Sequence, residues 1–132
     1  MLTTADVRDA VDRVVRGERV AAAEFSITFL SSQQMRGLNR RAFGRDRATD
    51  VIAFPLQHQE RVVGDVYVCP SVARRSAEYE GITRREEEIR LVIHGVLHAL
   101  GHEHHKERRR MDSQMWRRQE RYVRQTLLAG SH

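Results

Sequence analysis

The chain has 132 residues and a mass of 15.4 kDa, with 40% hydrophobic residues, one cysteine and a formal net charge of +5. This size fits one domain that buries a core without disulfides, and no apolar run approaches the ~20 residues of a membrane span. The N-terminal segment lacks the apolar stretch of a signal peptide, so we expect a soluble, cytoplasmic protein. All but one of the 23 basic residues are arginine, which suits an anionic partner, although genomic base composition also favours arginine.

Hydrophobic periodicity predicts a helix, a strand and a second helix in the first third of the chain. An apolar stripe at helical spacing, with Thr4 as its N-cap, predicts a helix that ends at Gly17. Residues 24–31 alternate apolar with polar side chains, which is typical of a half-buried strand. A serine cap followed by apolar residues at helical spacing predicts a short helix that ends near Gly44.

The remainder of the chain predicts two strands followed by three helices. The apolar runs 51–54 and 62–69 predict the strands. A proline in the first turn and a glycine stop predict a helix from Pro70 to Gly81, and the capping box T-x-x-E of residues 83–86 begins the next helix. A basic helix from about Arg108 to Leu128 follows. We therefore expect a single α+β domain over all 132 residues, with a small mixed sheet packed against several helices.

The string HGVLHALGHEH carries three histidines at the spacing of a metal site. His94 and His98 lie four residues apart in an apolar helix, so both imidazoles project from one face and can reach one ion. Gly101 adopts the left-handed conformation at low cost, so it can end the helix and bring His104 towards the same ion. Three imidazoles leave a fourth position for a water whose pKa the metal lowers, which is typical of a catalytic site. The alternative is a solvated histidine cap at the helix end.

The histidine spacing, H-x3-H-x5-H, is metzincin-like and lies on a predicted central helix, with one difference from those proteases. They carry a glutamate general base directly after the first histidine, where this chain has Gly95. The helix is apolar over most of its circumference, so we expect His94 and His98 to face a cleft. His102 and His105 are either surface residues or groups that orient a ligand. Metal ligands without the peptidase base argue against proteolysis.

Three separated blocks match the pattern of a known protein family in order and spacing. HGVLHALGHEH is similar to the signature H-G-x-L-H-L-x-G-Y-D-H. Leu38 and Asn39, followed by DRATDVIAFP over residues 46–55, resemble the stretches LN and D-x-x-T-D-V-L-S-F-P, and residues 64–81 resemble a G-D-I segment with its following helix. On these blocks the chain resembles the YbeY family, bacterial endoribonuclease-like proteins that act in ribosomal RNA maturation.

The resemblance implies a cofactor, a reaction and a set of partners. It implies one Zn²⁺ held by His94, His98 and His104, although imidazole ligands also accept nickel, copper or iron. It further implies a cytoplasmic, single-strand-specific endoribonuclease that processes the 3′ end of 16S rRNA and acts in ribosome quality control. The expected partners are single-stranded RNA, rRNA and the small ribosomal subunit, with neither a membrane nor DNA.

The chain departs from the family pattern beside the predicted site. Most members carry an arginine implicated in activity before the glycine of the segment that follows LN, and here that position is Phe43. Arg41 and Arg45 lie close in sequence and are the candidates to supply the missing cation. The usual tyrosine and aspartate before the third ligand are His102 and Glu103. Glu103 is a candidate to orient a ligand or accept a proton, and the alternative is that it only neutralises the neighbouring histidines.

Other charged and aromatic residues are candidates for RNA contact or for local structure. Tyr79 and Trp116 are candidates to stack on bases, with packing as the alternative, and the low aromatic content of 6% favours weak base preference. Asp50 and Asp65 either orient metal ligands or stabilise local turns, and we favour the structural role. Four arginines are expected either to hold flanking phosphates or to be solvated surface: Arg40, Arg41, Arg45 and Arg47.

Three functional classes remain open. The leading one is a metal-dependent endoribonuclease of rRNA processing. The second is a non-catalytic ribosome-assembly factor that binds rRNA and uses zinc only to stabilise its fold, which Phe43 and the lack of an evident general base favour. The third, a peptidase or another hydrolase, is disfavoured by Gly95.

Overall fold

The computed structural model describes residues 2–56, 61–101 and 108–130, which form one small α+β domain of five helices and a three-stranded mixed sheet. None of the helices in these ranges is long and apolar enough to cross a membrane. The elements follow the predicted order: α1 Thr4–Gly17, β1 Ala23–Phe29, α2 Ser32–Phe43, β2 Val51–Pro55, β3 Val62–Val68, α3 Pro70–Glu80, α4 Arg84–Ala99 and α5 Arg108–Ala129.

The sheet has the strand order β1-β3-β2 and is mixed, as predicted. β1 runs parallel to β3 with Phe25 opposite Gly64, and β2 runs antiparallel to β3 with Ala53 opposite Val66. A Cβ built on Gly64 would lie 2.9 Å from the Cβ of Ala99, so the glycine lets the end of α4 approach the central strand. This close approach holds the end of α4 against the sheet.

α4 is the central helix, as its nearly continuous apolar sequence predicts. It contacts α1, α3 and α5 as well as strands β2 and β3. Its buried apolar side chains are those of Ile89, Leu91, Val92, Ile93, Val96, Leu97 and Ala99. A helix packed on so many sides gives the side chains in its last turns little freedom to move, which favours a well-defined site there.

The helix ends are set by local hydrogen bonds and by glycines. The N-cap of α1 is Thr3 and not Thr4, because the Thr3 hydroxyl accepts from the Asp6 amide while the Asp6 carboxylate accepts from the Thr3 amide, both at 3.0 Å. α2 and α3 end at the predicted glycines, Gly44 and Gly81, which take the left-handed conformation at φ 70° and φ 72°.

The predicted capping box of α4 is only half formed. The Thr83 hydroxyl accepts from the Glu86 amide at 3.0 Å, as a cap should. The Glu86 carboxylate accepts a hydrogen bond from Arg90 at 2.9 Å instead of one from the Thr83 amide. A charge-assisted bond to arginine is stronger than one to a neutral amide, which explains the exchange.

Candidate functional site

His94 and His98 lie together in the last turns of α4. Their ring centroids are 4.3 Å apart with ring planes at 66°, and both residues are half-buried. The i, i+4 spacing brings the rings together because successive turns of a helix project along one face. Two imidazole nitrogens on one face of a helix can coordinate the same metal ion.

The chain leaves α4 where the histidine spacing requires. Leu100 caps the helix, its amide donating to the Val96 carbonyl at 2.9 Å, and Gly101 follows at φ 93°. Glycine reaches this positive φ at low steric cost. The turn predicted at Gly101 is therefore present, and it ends the helix there.

The third predicted ligand cannot be placed by the structure. His104 lies outside the described residues, as do the candidate catalytic residue Glu103 and the ambiguous His102 and His105. Within the described ranges, no group of three histidine, cysteine, aspartate or glutamate side chains is arranged to hold a metal. The three-histidine site remains a prediction that rests on the pair in α4 and on the turn at Gly101.

Gln119 of α5 orients the first histidine of the pair. His94 Nδ1 lies 2.6 Å from Gln119 Oε1, and Gln119 Nε2 donates to the Glu120 carboxylate at 3.0 Å. A carboxylate only accepts, so the amide nitrogen must face Glu120 and the amide oxygen must face the imidazole. Nδ1 of His94 therefore carries the proton, and the Nε2 lone pair is left for a ligand such as a metal ion.

A cluster of charges holds Gln119 and Glu120 against α4. Arg90 donates to both carboxylate oxygens of Glu120 at 2.9 Å, and it also donates to Glu86 at 2.9 Å and to Glu87 at 3.3 Å. The hydrogen bond to Glu120 raises the pKa of Arg90. Burial acts to raise the pKa of Glu120, but hydrogen bonds from Arg90 and Gln119 outweigh burial and lower it. The ionised side chains thus hold α5 against α4 next to His94.

Sequence reasoning missed Gln119, although a signal was present. α5 is polar overall, and the buried residues in its described part fall at helical spacing: Met115, Gln119, Tyr122, Val123 and Thr126. A glutamine within that stripe, 6% exposed, needs buried hydrogen-bond partners. The sequence does not say that one of those partners is His94, because the two residues are 25 positions apart.

The histidine pair lines a cleft of about 310 Å³ between α4, β2 and the loop that follows α2. Arg45 and Arg47 also line this cleft, whereas Arg40 and Arg41 are not among its described lining residues. Arg40 pairs with Asp46 at 3.8 Å. Of the two arginines proposed as substitutes for the family's cation, the structure thus places Arg45, and not Arg41, at the cleft.

Short hydrogen bonds hold the arginine loop, residues 44–50, in place. The side chain of Asn39, which is buried, donates to the Arg47 carbonyl at 3.0 Å. Arg36 donates to both carboxylate oxygens of Asp46 at 2.8 and 3.0 Å, and these hydrogen bonds lower the pKa of Asp46. The Asp50 carboxylate accepts from the Val51 amide at 2.8 Å. Asp50 therefore stabilises the turn before β2, the role favoured from the sequence.

Phe43, which stands at the position of the family's arginine, lines the same cleft. It is 54% exposed and stacks on Phe54 of β2, with ring centroids 6.1 Å apart and planes at 4°. Phe54 in turn meets Tyr67 edge to face at 6.0 Å. Tyr79 and Trp116 are also exposed, but neither is among the described residues that line the cleft.

Gly95 has no room for a side chain. The residue is buried, and a Cβ built on it would overlap Cγ1 of Val66 on β3. A glutamate general base at this position, as in the metzincins, is incompatible with the packing of α4 on the sheet. The structure therefore supplies a steric reason for the missing peptidase base.

The donor set fits a transition metal of the zinc type. Imidazole nitrogens are common zinc ligands, and metal-binding histidines ordinarily donate their other ring N–H to a protein oxygen. The bond from His94 Nδ1 to Gln119 has this form. Residues 94 and 98 thus present two of the three ligands that such a site needs.

Comparison with known proteins identifies the family. The sequence profile described as Endoribonuclease YbeY matches residues 2–127. The endoribonuclease YbeY of Persephonella marina is 36% identical over 108 residues, which cover 78% of this chain and 71% of that protein. The Thermotoga maritima endoribonuclease YbeY is 31% identical over 118 residues, covering 89% of this chain and 77% of that protein.

A solved structure agrees with the sequence relatives. The solution structure of TM1509 from Thermotoga maritima superimposes with a TM-score of 0.71 at 29% identity, and the match covers 92% of this chain and 79% of that one. The profile match spans nearly the whole chain, and the relatives exceed 30% identity over most of their length. The resemblance found in the three sequence blocks is therefore confirmed, and this chain belongs to the endoribonuclease YbeY family.

Proposed function

We propose that this protein is a cytoplasmic, metal-dependent endoribonuclease that cuts single-stranded RNA during rRNA maturation. Its reaction would include 3′ end processing of 16S rRNA on the small ribosomal subunit and a part in ribosome quality control. The observation that carries the proposal is the pair His94 and His98 beside an arginine-lined cleft, with the ring of His94 oriented by Gln119. Family membership supplies the RNA substrate class.

Each candidate residue has its own role in the proposed phosphodiester hydrolysis. His94, His98 and His104 would hold one Zn²⁺ or another divalent metal, which supplies Lewis-acid polarisation of the scissile phosphate and activation of water. Arg45 and Arg47 bind flanking phosphates and so position the strand without reading its sequence. Glu103 is the candidate proton acceptor.

A non-catalytic ribosome-assembly factor with a structural zinc is the second candidate. It is favoured by one observation: among the described residues that line the cleft, none is a carboxylate that would serve as a general base. In that case the same histidines would bind the metal only to stabilise the fold. The two candidates differ in whether RNA is cut, and not in whether it is bound.

Substitution of His98 separates the two candidates. We expect His98→Ala to retain its fold and RNA binding and to lose cleavage by about two orders of magnitude or more, because loss of one ligand weakens binding of the metal that would polarise the phosphate and activate water. The substrate is a hairpin RNA with a free 3′ tail, and cutting should be confined to the tail. Phe29→Ala, whose side chain is not among the described residues that line the cleft, is the control and should cleave normally.

Metal content completes the test. Elemental analysis of the purified protein should find one equivalent of metal in the wild type and much less in His98→Ala. Metal at one equivalent together with RNA binding but no cleavage would support the assembly factor. Cleavage that survives both metal removal and His98→Ala would contradict a catalytic metal.

A further inference from the structure

Phe43 presents an aromatic face beside the histidine pair. It is the last residue of α2, and Gly44 turns the chain away directly after it. The ring of Phe54 stacks parallel to that of Phe43, with the ring centroids 6.1 Å apart, and Tyr67 contacts Phe54 edge to face. Phe43 is 54% exposed, so its ring contacts Phe54 and is still accessible from the cleft.

The charged residues around the Phe43 ring favour binding of a nucleic acid strand. Arg45 and Arg47 line the cleft with Phe43 and form no ion pair with a carboxylate in the described part of the chain. The acidic residue between them, Asp46, is already engaged by Arg36. An aromatic ring beside unpaired arginines is the composition by which proteins bind single strands: bases stack on the ring and cations track the phosphates.

We propose that Phe43 is a stacking platform for one nucleobase of single-stranded RNA, next to the phosphates bound by Arg45 and Arg47. The proposal rests on the proposed function, since it places the substrate of that site. A neutral aromatic ring binds a base by stacking and makes no ionic contact with the phosphates. The affinity that Phe43 contributes should therefore be insensitive to salt and absent for duplex RNA, whose bases are already stacked.

Three substitutions at position 43 isolate the aromatic face. Phe43→Ala removes it, Phe43→Leu keeps apolar contact with Phe54 without an aromatic ring, and Phe43→Tyr keeps the ring. Binding is measured by fluorescence anisotropy with the metal-loaded full-length protein and a mixed-sequence oligoribonucleotide, whose integrity is checked on a gel afterwards. We expect Ala and Leu to weaken single-strand binding by about 5- to 150-fold, the range for loss of one stacked base, and Tyr to bind like the wild type.

Controls separate stacking from charge and from general surface effects. Phe29→Ala removes a phenylalanine of comparable exposure, 38%, that does not line the cleft, and it should leave binding unchanged. Arg45→Gln should reduce the slope of log affinity against log salt by about 0.7, the value for one phosphate contact on a single strand, whereas Phe43→Leu should leave the slope unaltered. A 2-aminopurine base in the oligonucleotide should be quenched by the wild type and by Phe43→Tyr.

The outcomes distinguish this proposal from the proposed function. Equal binding by Phe43→Leu and the wild type, or an equal loss on duplex RNA, would overturn the stacking platform even in a protein that cuts RNA. Binding that depends on the ring in a protein that never cuts RNA would support the platform and overturn the nuclease. A wild type that binds no single-stranded RNA would overturn both.

Discussion

The amide of Gln119 decides which nitrogen of His94 carries the proton. Its orientation is set by Glu120, which accepts from Gln119 Nε2 at 3.0 Å, so the amide oxygen faces His94 at 2.6 Å. A free neutral imidazole exchanges between two tautomers, and only one presents Nε2 as a lone pair. Gln119 thus leaves the Nε2 lone pair of His94 available for the proposed metal.

We predict that Gln119→Leu weakens zinc binding by about 10- to 100-fold, the usual cost of losing the group that orients a histidine ligand. The leucine fills similar space but cannot accept the Nδ1 proton. Competition with a chelating dye measures the affinity, and ¹⁵N spectra of the metal-free protein should show His94 protonated at Nδ1 in the wild type and as a mixture in the variant.

Thr126→Val is the matched control for this prediction. Thr126 is also buried in α5, and its hydroxyl donates to the Tyr122 carbonyl at 2.7 Å, away from the histidines. The variant should change stability without changing zinc affinity or the tautomer of His94. Unchanged zinc affinity in Gln119→Leu would show that the amide serves packing alone.

Gly95 is predicted to be intolerant of any side chain. Gly95→Ala should lower the free energy of unfolding by about 1–3 kcal/mol, because the methyl group overlaps Val66 and forces α4 away from the sheet. Urea denaturation measures the loss. Gly37→Ala in α2 is the matched control: its new Cβ meets only the flexible end of Arg41 at 3.2 Å, so this helical alanine should stabilise by about 0.5–1 kcal/mol. Equal stability of Gly95→Ala and the wild type would contradict the steric argument.

Helices α4 and α5 contact each other through an apolar core and through a cluster of ion pairs beside it. Met115 and Tyr122 are buried in the same core as Ile89 and Val96 of α4. Beside this core, Arg90 donates hydrogen bonds to Glu86, Glu87 and Glu120. Partly buried ion pairs with bidentate geometry contribute more than exposed ones, because solvent screens them less. The cluster therefore holds α5 in the register that places Gln119 against His94.

The ion cluster makes the free energy of unfolding depend on pH. The pKa of Glu120 is lower in the folded protein than in the unfolded chain, so its contribution is complete above the unfolded value of ~4.3 and is lost as pH falls through the folded value. We predict that Glu120→Gln costs about 1–2 kcal/mol at pH 7 and that its difference from the wild type shrinks below about pH 4. Urea unfolding between pH 3 and 7 measures both.

Glu24→Gln provides the comparison for an exposed pair. Glu24 accepts from Arg61 at 2.6 Å, but both side chains are more than half exposed. Such pairs contribute little, so this variant should be nearly as stable as the wild type. A Glu120→Gln variant that behaves in the same way would mean that the cluster does not stabilise the contact between α4 and α5.

At the scale of the whole molecule, binding of a metal should be coupled to folding. Ligands from α4 and from residue 104 would join two stretches of chain that lie on either side of the Gly101 turn. A metal that binds only the folded protein adds about 2.7 kcal/mol to the free energy of unfolding at 100 times its dissociation constant. We predict this increase for zinc added to the wild type and its loss in His98→Ala, measured by urea unfolding at fixed zinc concentration. An equal increase in both proteins would place the bound zinc elsewhere.

Much of the fold follows from local sequence. The apolar periodicity of each helix, the glycine stops and the alternation of the strands predict all eight elements in order, because each signal acts over a few residues. The errors lie at the ends of elements: β1 ends at Phe29 and not at residue 31, β3 ends at Val68 and not at residue 69, and two helix caps differ. Thr3 replaces Thr4, and Arg90 draws Glu86 away from its predicted partner, since a side chain with two possible partners takes the stronger one.

The spacing of His94 and His98, the turn at Gly101 and the family follow from the amino-acid sequence alone, because helical geometry and the allowed φ of glycine are local properties. Three features follow from the packing of the folded protein. Gln119 faces His94, Phe43 stacks on Phe54, and Arg45 lines the cleft, whereas Arg41 is not among the described lining residues. These contacts join residues distant in sequence. They are selected by how α5, β2 and the loop after α2 pack around α4, and no periodicity within one element encodes that packing.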